Sequence, residues 1–354
     1  MRAYRFAVVT VLVLLVRSVQ AQDQLKNVQI LTGMTRPEAW EVMNQMASGL
    51  GVSCQYCHVT EDVASDAKPM KQRGREMMRM VIELNARHFD GKPVVTCYTC
   101  HNGHPKPALM PPLPVPLPPE TKPADTRALP AAASVIDRYV AAVGREVPLA
   151  AARRFTGTHT APNGSAAKGT ITTAADKVRV DVDLPDGSHL TRVFDAKGGW
   201  LRDKDGVRDL TSQQLDAVRQ SSHPFVPFHT STIGGGARVT GSEKIGERDA
   251  WVVTTAKAQY WFDAASGFLL RRVTYFDTPI GRVPERTDFD DYRDVGGWKV
   301  PFFTRGMRVD PYLGGTRQAE SIEVGITIAA SEFEKPAGKP ASLSGKVPLR
   351  ERSS

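Results

Sequence analysis

The chain has 354 residues, of which 41% are hydrophobic and 24% charged. That excludes a disordered or collagen-like polymer and gives enough apolar surface for about two domains. Its net charge of +8 (+5 without Arg2, Arg5 and Arg17) is spread along the chain with no Lys/Arg block interleaved with aromatics, so no nucleic-acid partner is expected.

At the start, Arg2 and Arg5 precede an apolar run from Phe6 to Val16 and then Val19-Gln20-Ala21. This is the layout of a signal peptide (1–21) cut after Ala21, and the run is short for a membrane span. A periplasmic protein starting at Gln22 is expected, with an uncleaved N-terminal anchor as the rival reading. Thr35-Arg36-Pro37-Glu38 resembles a capping box with an early proline, and Gly49 and Gly51 offer a stop, so a helix of about 14 residues is predicted. Trp40, Met43 and Ala47 share one of its faces. A second helix is predicted from near Pro69 to His88, with Met77, Val81, Leu84 and His88 on one side.

Ten prolines between Pro105 and Pro130 preclude helix or central strand there, so 105–130 reads as a linker between a module at 22–104 and another at 131–337, followed by a polar tail, 338–354. Beyond the linker one amphipathic helix is expected, with Ser134 as its cap. The pattern then changes to strands, at Val178–Leu184, Trp251–Val253, Tyr260–Phe262, Leu270–Phe276 and Glu323–Ile328. Turn signals separate them, and one further helix is expected near 211–220. The fold class is therefore multidomain, α then β: a helical module, a Pro-rich linker, and an antiparallel β half-barrel.

All four cysteines fall in two copies of one pattern, Cys54-Gln-Tyr-Cys57-His58 and Cys97-Tyr-Thr-Cys100-His101. In an exported chain this is the pattern for covalent haem c, in which two thiols form thioethers to the porphyrin and the histidine is the proximal iron ligand. Two haem c groups are expected, on Cys54, Cys57 and His58, and on Cys97, Cys100 and His101. A zinc site would need a spacing shorter than the 39 residues between Cys57 and Cys97 and would leave a histidine over in each copy. A dithiol redox pair would accompany a βαβ pattern, which is absent. Met34, Met43 and Met46 before the first motif, and Met70, Met77, Met78 and Met80 before the second, are candidates for a sixth ligand or for core filling. His88 is the rival sixth ligand for the second haem.

The strings Leu50-Gly51-Val52-Ser53-Cys54-Gln55-Tyr56-Cys57-His58, Arg75-Glu76-Met77-Met78-Arg79-Met80 and Val95-Thr96-Cys97-Tyr98-Thr99-Cys100-His101-Asn102-Gly103 resemble the cytochrome subunit of photosynthetic reaction centres, over about Leu25 to Pro107. The resemblance implies that each haem follows a helix carrying its axial methionine, which places Met43 on the first iron and Met77 on the second, with Met46 and Met80 as packing residues. That family's full subunit has two such pairs of haems. One pair here suits an electron chain other than the reaction centre.

The C-terminal stretches Tyr260-Trp261-Phe262-Asp263, Gly267-Phe268-Leu269-Leu270 and Asp291-Tyr292-Arg293-Asp294-Val295-Gly296-Gly297-Trp298 are more weakly similar to lipoprotein-carrier half-barrels, which implies a fold and no activity. Trp261, Phe268 and Phe302 read as core ahead of an apolar-ligand pocket. Asp288, Asp290, Asp291 and Asp294 read as a solvated strand edge ahead of a cation site. Lys68, Lys71, Arg73, Arg75 and Arg79 suit either an acidic partner or a solvated helix face.

The function expected is a periplasmic electron relay, with no enzymatic turnover. Its partners would be redox proteins of the cell envelope and the haem-attachment machinery, and docking to a membrane complex is compatible with it. The rivals are reduction of peroxide or another small oxidant at an open haem, and a redox-reporting binder of an apolar ligand.

Overall fold

The computed structural model describes residues 25–110, 128–144, 151–184, 186–195, 197–210, 215, 233, 236–309 and 314–337. The expected signal peptide, most of the Pro-rich stretch, the segment 211–220 expected as a helix (apart from Leu215), and the expected polar tail lie outside these. The chain divides into two compact units. One comprises Met1–Thr126 together with Val273–Arg286 and Arg308–Pro311; the other comprises Arg127–Arg272, Thr287–Met307 and Tyr312–Ser354.

The first unit carries the helices that precede the Pro-rich stretch together with the ends of strands from 273–286 and 308. Helix α1 spans Arg36–Leu50 and α2 spans Pro69–His88, with a 3-10 turn at Cys54–Tyr56 between them and a one-turn helix α3, Cys97–His101, after them. The capping box forms: the Glu38 carboxylate accepts from the Thr35 N–H and hydroxyl at 2.7 and 2.8 Å, bonds that hold its pKa below the usual value. Gly51 takes the left-handed conformation, φ 65°, just past α1, while Gly49 lies inside the helix. Gly49 therefore serves packing: a Cβ there would lie 3.0 Å from the Cys97 Cβ and 3.2 Å from the Tyr98 N. The missing side chain lets the second motif rest on α1.

The core of this unit is Leu31, Ala39, Val42, Met78, Val81, Cys97 and Ile280. Ile280 comes from the turn of the Val273–Arg286 segment and is completely buried. Beside it the Thr278 hydroxyl donates to Gln45 Oε1 at 2.8 Å, and Ser48 Oγ donates to the Val309 carbonyl. Gly281, φ 144°, packs so closely on Gln45 and Thr96 that a Cβ would lie 2.2 Å from Gln45 Nε2 and 2.8 Å from the Thr96 methyl.

The second unit carries helix α4, Ala132–Val143, and most of one sheet. The strands are β1 (Arg153–Thr160), β2 (Ala166–Ala174), β3 (Lys177–Asp183), β4 (His189–Phe194), β5 (Gly199–Asp203), β6 (Gly206–Asp209), β7 (Arg238–Ile245), β8 (Arg248–Thr254), β9 (Ala258–Asp263), β10 (Leu269–Thr278), β11 (Gly281–Val295), β12 (Trp298–Arg308) and β13 (Gly314–Val324). Their spatial order is β6-β5-β4-β3-β2-β1-β13-β12-β11-β10-β9-β8-β7. Each half is a meander, and the return of the chain pairs β13 antiparallel with β1, from Arg153–Val324 to Thr160–Thr316. The expected order of a helical module before an antiparallel β module is present.

Helix α4 buries Val135, Tyr139 and Val143 against Val253, Phe262, Leu269 and Phe289. Its cap position is Ala131, and Ser134 sits within the first turn, so the expected serine cap is corrected. The last expected strand also shifts: β13 ends at Val324 because Gly325 turns the chain with φ 71°. Trp261 and Phe302 are buried, and Phe268 stacks on Tyr292 with ring centroids 4.3 Å apart, which supports the core reading. The acidic run of β11 is paired off: Asp288 with Arg271 at 2.6 Å, Asp290 with Arg248 at 3.2 Å, Asp291 with Arg293 at 2.6 Å and Asp294 with Lys299 at 3.4 Å. With a basic partner for each, the carboxylates do not gather as a cation site would require.

Candidate haem-attachment site

Three residues after helix α1 stops at Gly51, the first motif begins as a 3-10 turn. The N–H groups of Cys57 and His58 both donate to the Cys54 carbonyl, at 3.3 and 3.0 Å, which folds the two cysteines onto one turn and presents His58 next in line. The second motif begins differently. Thr96 and Thr99 cap each other, with Thr96 N donating to Thr99 Oγ1 at 3.0 Å and Thr99 N to Thr96 Oγ1 at 3.3 Å, and Cys97–His101 then form the turn of α3. Asn102, φ 47°, ends it.

The two histidines share one arrangement. His58 Nδ1 lies 2.9 Å from the Val63 carbonyl and His101 Nδ1 lies 3.0 Å from the His104 carbonyl. A carbonyl only accepts, so Nδ1 carries the proton in both rings, and in the neutral ring this leaves the lone pair on Nε2. A carbonyl-anchored Nδ1–H with a basic Nε2 is the state of a histidine prepared to bind a metal.

None of the four cysteines is in a disulfide. Burial pushes Cys57 and Cys97 above the ordinary thiol pKa, with Lys68 opposing this at Cys57, whereas a reactive dithiol pair needs a depressed value. Among the described residues no three His, Cys, Asp or Glu side chains gather as a metal cluster, so the thiols do not converge as a zinc site requires. Tyr56 and Tyr98 within the motifs, Val63 beyond the first and Trp40 on α1 are exposed apolar side chains of the kind a porphyrin face covers. Paired thiols, a histidine with a free Nε2 and flanking apolar side chains fit covalent haem at both positions.

The methionines divide by environment. Met43 is half-buried on the α1 face that also carries Trp40 and Ala47, and packs at the edge of the core. Met77 is half-buried on α2, one position before the buried Met78. Met46 packs on the core as expected of a filler, whereas Met80 is 46% exposed and Met78 takes the interior place. His88 is the last residue of α2 and exposed.

Sequence reading missed the residues that hold the motifs in place. Asn85 is buried in α2 and binds the approach to the second motif three times, accepting from Val94 N and Val95 N at 3.1 and 2.9 Å and donating to Val95 O at 2.7 Å. An asparagine within an otherwise regular helix was its only signal. The basic helix face is likewise structural. Lys71 Nζ donates to the carbonyls of Val63, Ala64 and Ser65 at 3.0, 2.8 and 2.8 Å, Arg75 is buried against Asp66 at 3.0 Å, and Lys68 donates to the Gln55 carbonyl. Of the five basic residues, those three are turned to the chain itself.

Comparison with known proteins agrees with the motif reading. Residues 12–114 match the model of the photosynthetic reaction centre cytochrome C subunit family. Cytochrome c-554 of Chloroflexus aurantiacus is 42% identical over 93 residues, 25% of this chain and 22% of that protein. The photosynthetic reaction center cytochrome c subunit of Rubrivivax gelatinosus is 33% identical over 92 residues, 25% of each. The chain thus spans about a quarter of the length of these relatives. Among solved structures, a putative outer membrane lipoprotein-sorting protein domain from Vibrio parahaemolyticus covers 57% of this chain and 95% of its own at 15% identity and TM-score 0.36. A LolA superfamily protein from Nitrosomonas europaea covers 58% and 98% at 10% identity and TM-score 0.36. The N-terminal region, including both Cys-x-x-Cys-His motifs, is therefore similar in sequence to reaction-centre cytochromes.

Proposed function

We propose that this chain is a periplasmic c-type cytochrome with two covalent haems that relays single electrons between redox proteins of the cell envelope. The observation that carries this reading is the matched pair of histidines, each with Nδ1–H on a backbone carbonyl and, among the described residues, no partner on Nε2, directly after two cysteines. Cys54 and Cys57, and Cys97 and Cys100, would hold the porphyrins by thioether bonds, and His58 and His101 would be the proximal ligands. The haem supplies the one-electron chemistry; the chain fixes ring orientation, ligand basicity and exposure to solvent.

Met43 and Met77 are the sixth ligands in this reading. Both are half-buried on helices preceding their motifs, as a side chain turned toward a cofactor would be. A saturated iron suits electron transfer ahead of substrate turnover. The chain just after the second motif is tied to the end of α1, the helix that leads into the first, since Gly103 N donates to Gly49 O at 3.0 Å. Attachment points that share a helix end favour transfer between the two sites.

The test is production in a periplasm with haem-attachment machinery, followed by denaturing electrophoresis, haem staining and near-infrared spectroscopy. Haem that survives denaturation, with a methionine–iron charge-transfer band, is expected. A high-spin spectrum without that band would shift the reading to small-oxidant reduction, and colourless protein would refute it. Whether the exported chain stays membrane-associated is read from its fractionation; among the described residues no helix is long and apolar enough to cross a membrane.

A further inference from the structure

The two histidine anchors differ in one respect. The Val63 carbonyl that accepts from His58 Nδ1 at 2.9 Å also accepts from Lys71 Nζ at 3.0 Å, so one oxygen is shared between the ring and a cation. The Lys71 side chain is only 10% exposed and is held by two further carbonyls and by Asp66 at 3.3 Å. Asp66 in turn binds Arg75 Nη1 at 3.0 Å and Asn27 Nδ2 at 2.8 Å. Lys71, Arg75 and Asp66 together carry one net positive charge, held out of solvent on the cation side by Lys71 and Arg75 (10% and 6% exposed), while the Asp62 carboxylate of the same loop is exposed and bonds the Ala64 N–H. At the second motif the His104 carbonyl accepts from His101, and among the described residues no lysine or arginine bonds to it.

We infer that Lys71 is a positioning residue that raises the reduction potential of the first haem above that of the second. The inference rests on the di-haem reading. Two physical effects act in the same direction. A carbonyl that already accepts from an ammonium is a weaker acceptor for His58 Nδ1–H, so the ring has less imidazolate character and donates less electron density to iron. A buried positive charge nearby also favours the reduced state, which is one unit less positive. Electrons on this protein then rest on the haem of Cys54, Cys57 and His58, and pass to it from the haem of Cys97, Cys100 and His101.

The experiment is a redox titration of the full-length haem-loaded protein and its Lys71→Met, Lys71→Arg and Asp66→Asn variants, with the two midpoints resolved by optical spectroelectrochemistry. Lys71→Met should lower the higher midpoint alone, and Lys71→Arg should largely restore it. Asp66→Asn removes the compensating anion and should raise the same midpoint, an opposite sign that loosening of the loop would not produce. Unchanged midpoints in Lys71→Met, or equal shifts of both, overturn the inference. Should Lys71→Met fail to mature, Asp66→Asn decides it: a raised higher midpoint supports the assignment, and an unchanged or lowered one overturns it. Wild-type protein without covalent haem would instead refute the di-haem reading itself.

Discussion

The two Cys-x-x-Cys-His segments have the same pattern and are supported in unlike ways. The first is a 3-10 turn with none of its residues buried, followed by a loop clamped from outside by charges: Lys71 and Arg75 converge on Asp66, and Lys71 also binds three successive carbonyls. The second is a capped helical turn clamped from inside, with Cys97 buried among Val42, Val81 and Ile280 and with Gly49 beneath it. Electrostatics holds one attachment site, and close packing holds the other. Perturbations of packing and of charge should therefore separate the two sites.

The largest effect is expected at Gly51. A Cβ there would lie 2.1 Å from the Gly103 carbonyl, in a left-handed backbone that β-branched residues avoid. Gly51→Val should displace the end of the second motif and cut haem incorporation from two per chain toward one, read by intact mass. Next is Ile280→Ala, which empties a fully buried position against Cys97 and should cost about 2–5 kcal/mol in denaturant unfolding of the helical unit. Unfolding indistinguishable from wild type would break the inside-clamp description.

Asn85→Ala removes three hydrogen bonds from the approach to Cys97, leaving the Val95 N–H without its acceptor and the Val94 N–H with the Lys92 carbonyl alone. A loss of about 1–3 kcal/mol is expected, with faster amide exchange at Val94 and Val95 than in the 62–66 loop. The smallest effect is in acid. Asp66 is held well below the usual carboxylate range, first by its hydrogen bond from Arg75, then by Asn27 and Lys71. A depressed carboxylate contributes stability that is complete above its unfolded pKa of about 3.9 and is lost as pH falls through its lower folded value. The outer clamp should therefore hold through mild acid and loosen only in strong acid, and Asp66→Asn should flatten that limb of the stability profile.

What could be read from sequence follows from the range of the interactions. Helix α2 was expected at Pro69–His88 and is found there, because a proline at its first turn and regular apolar spacing are local. The Thr35–Glu38 capping box was legible for the same reason. Strands β1 and β2 were not, since Arg153–Thr160 and Ala166–Ala174 are rich in threonine and glycine and owe their strand state to pairing with each other and with β13. At the site, both Cys-x-x-Cys-His units were legible as chemistry, while their supports were not. Gln45 meets Arg282 across 237 positions, and Lys71 looked like a solvated cation until three carbonyls turned toward it.

The most direct test of the account is the intact mass of the chain after periplasmic maturation with haem-attachment machinery and denaturing removal of any non-covalent ligand. The account predicts the mass of the polypeptide plus two haems, falling by one haem when Cys97 and Cys100 are both replaced by serine. A wild-type mass equal to the bare polypeptide, or polypeptide that carries zinc in place of haem, would contradict it.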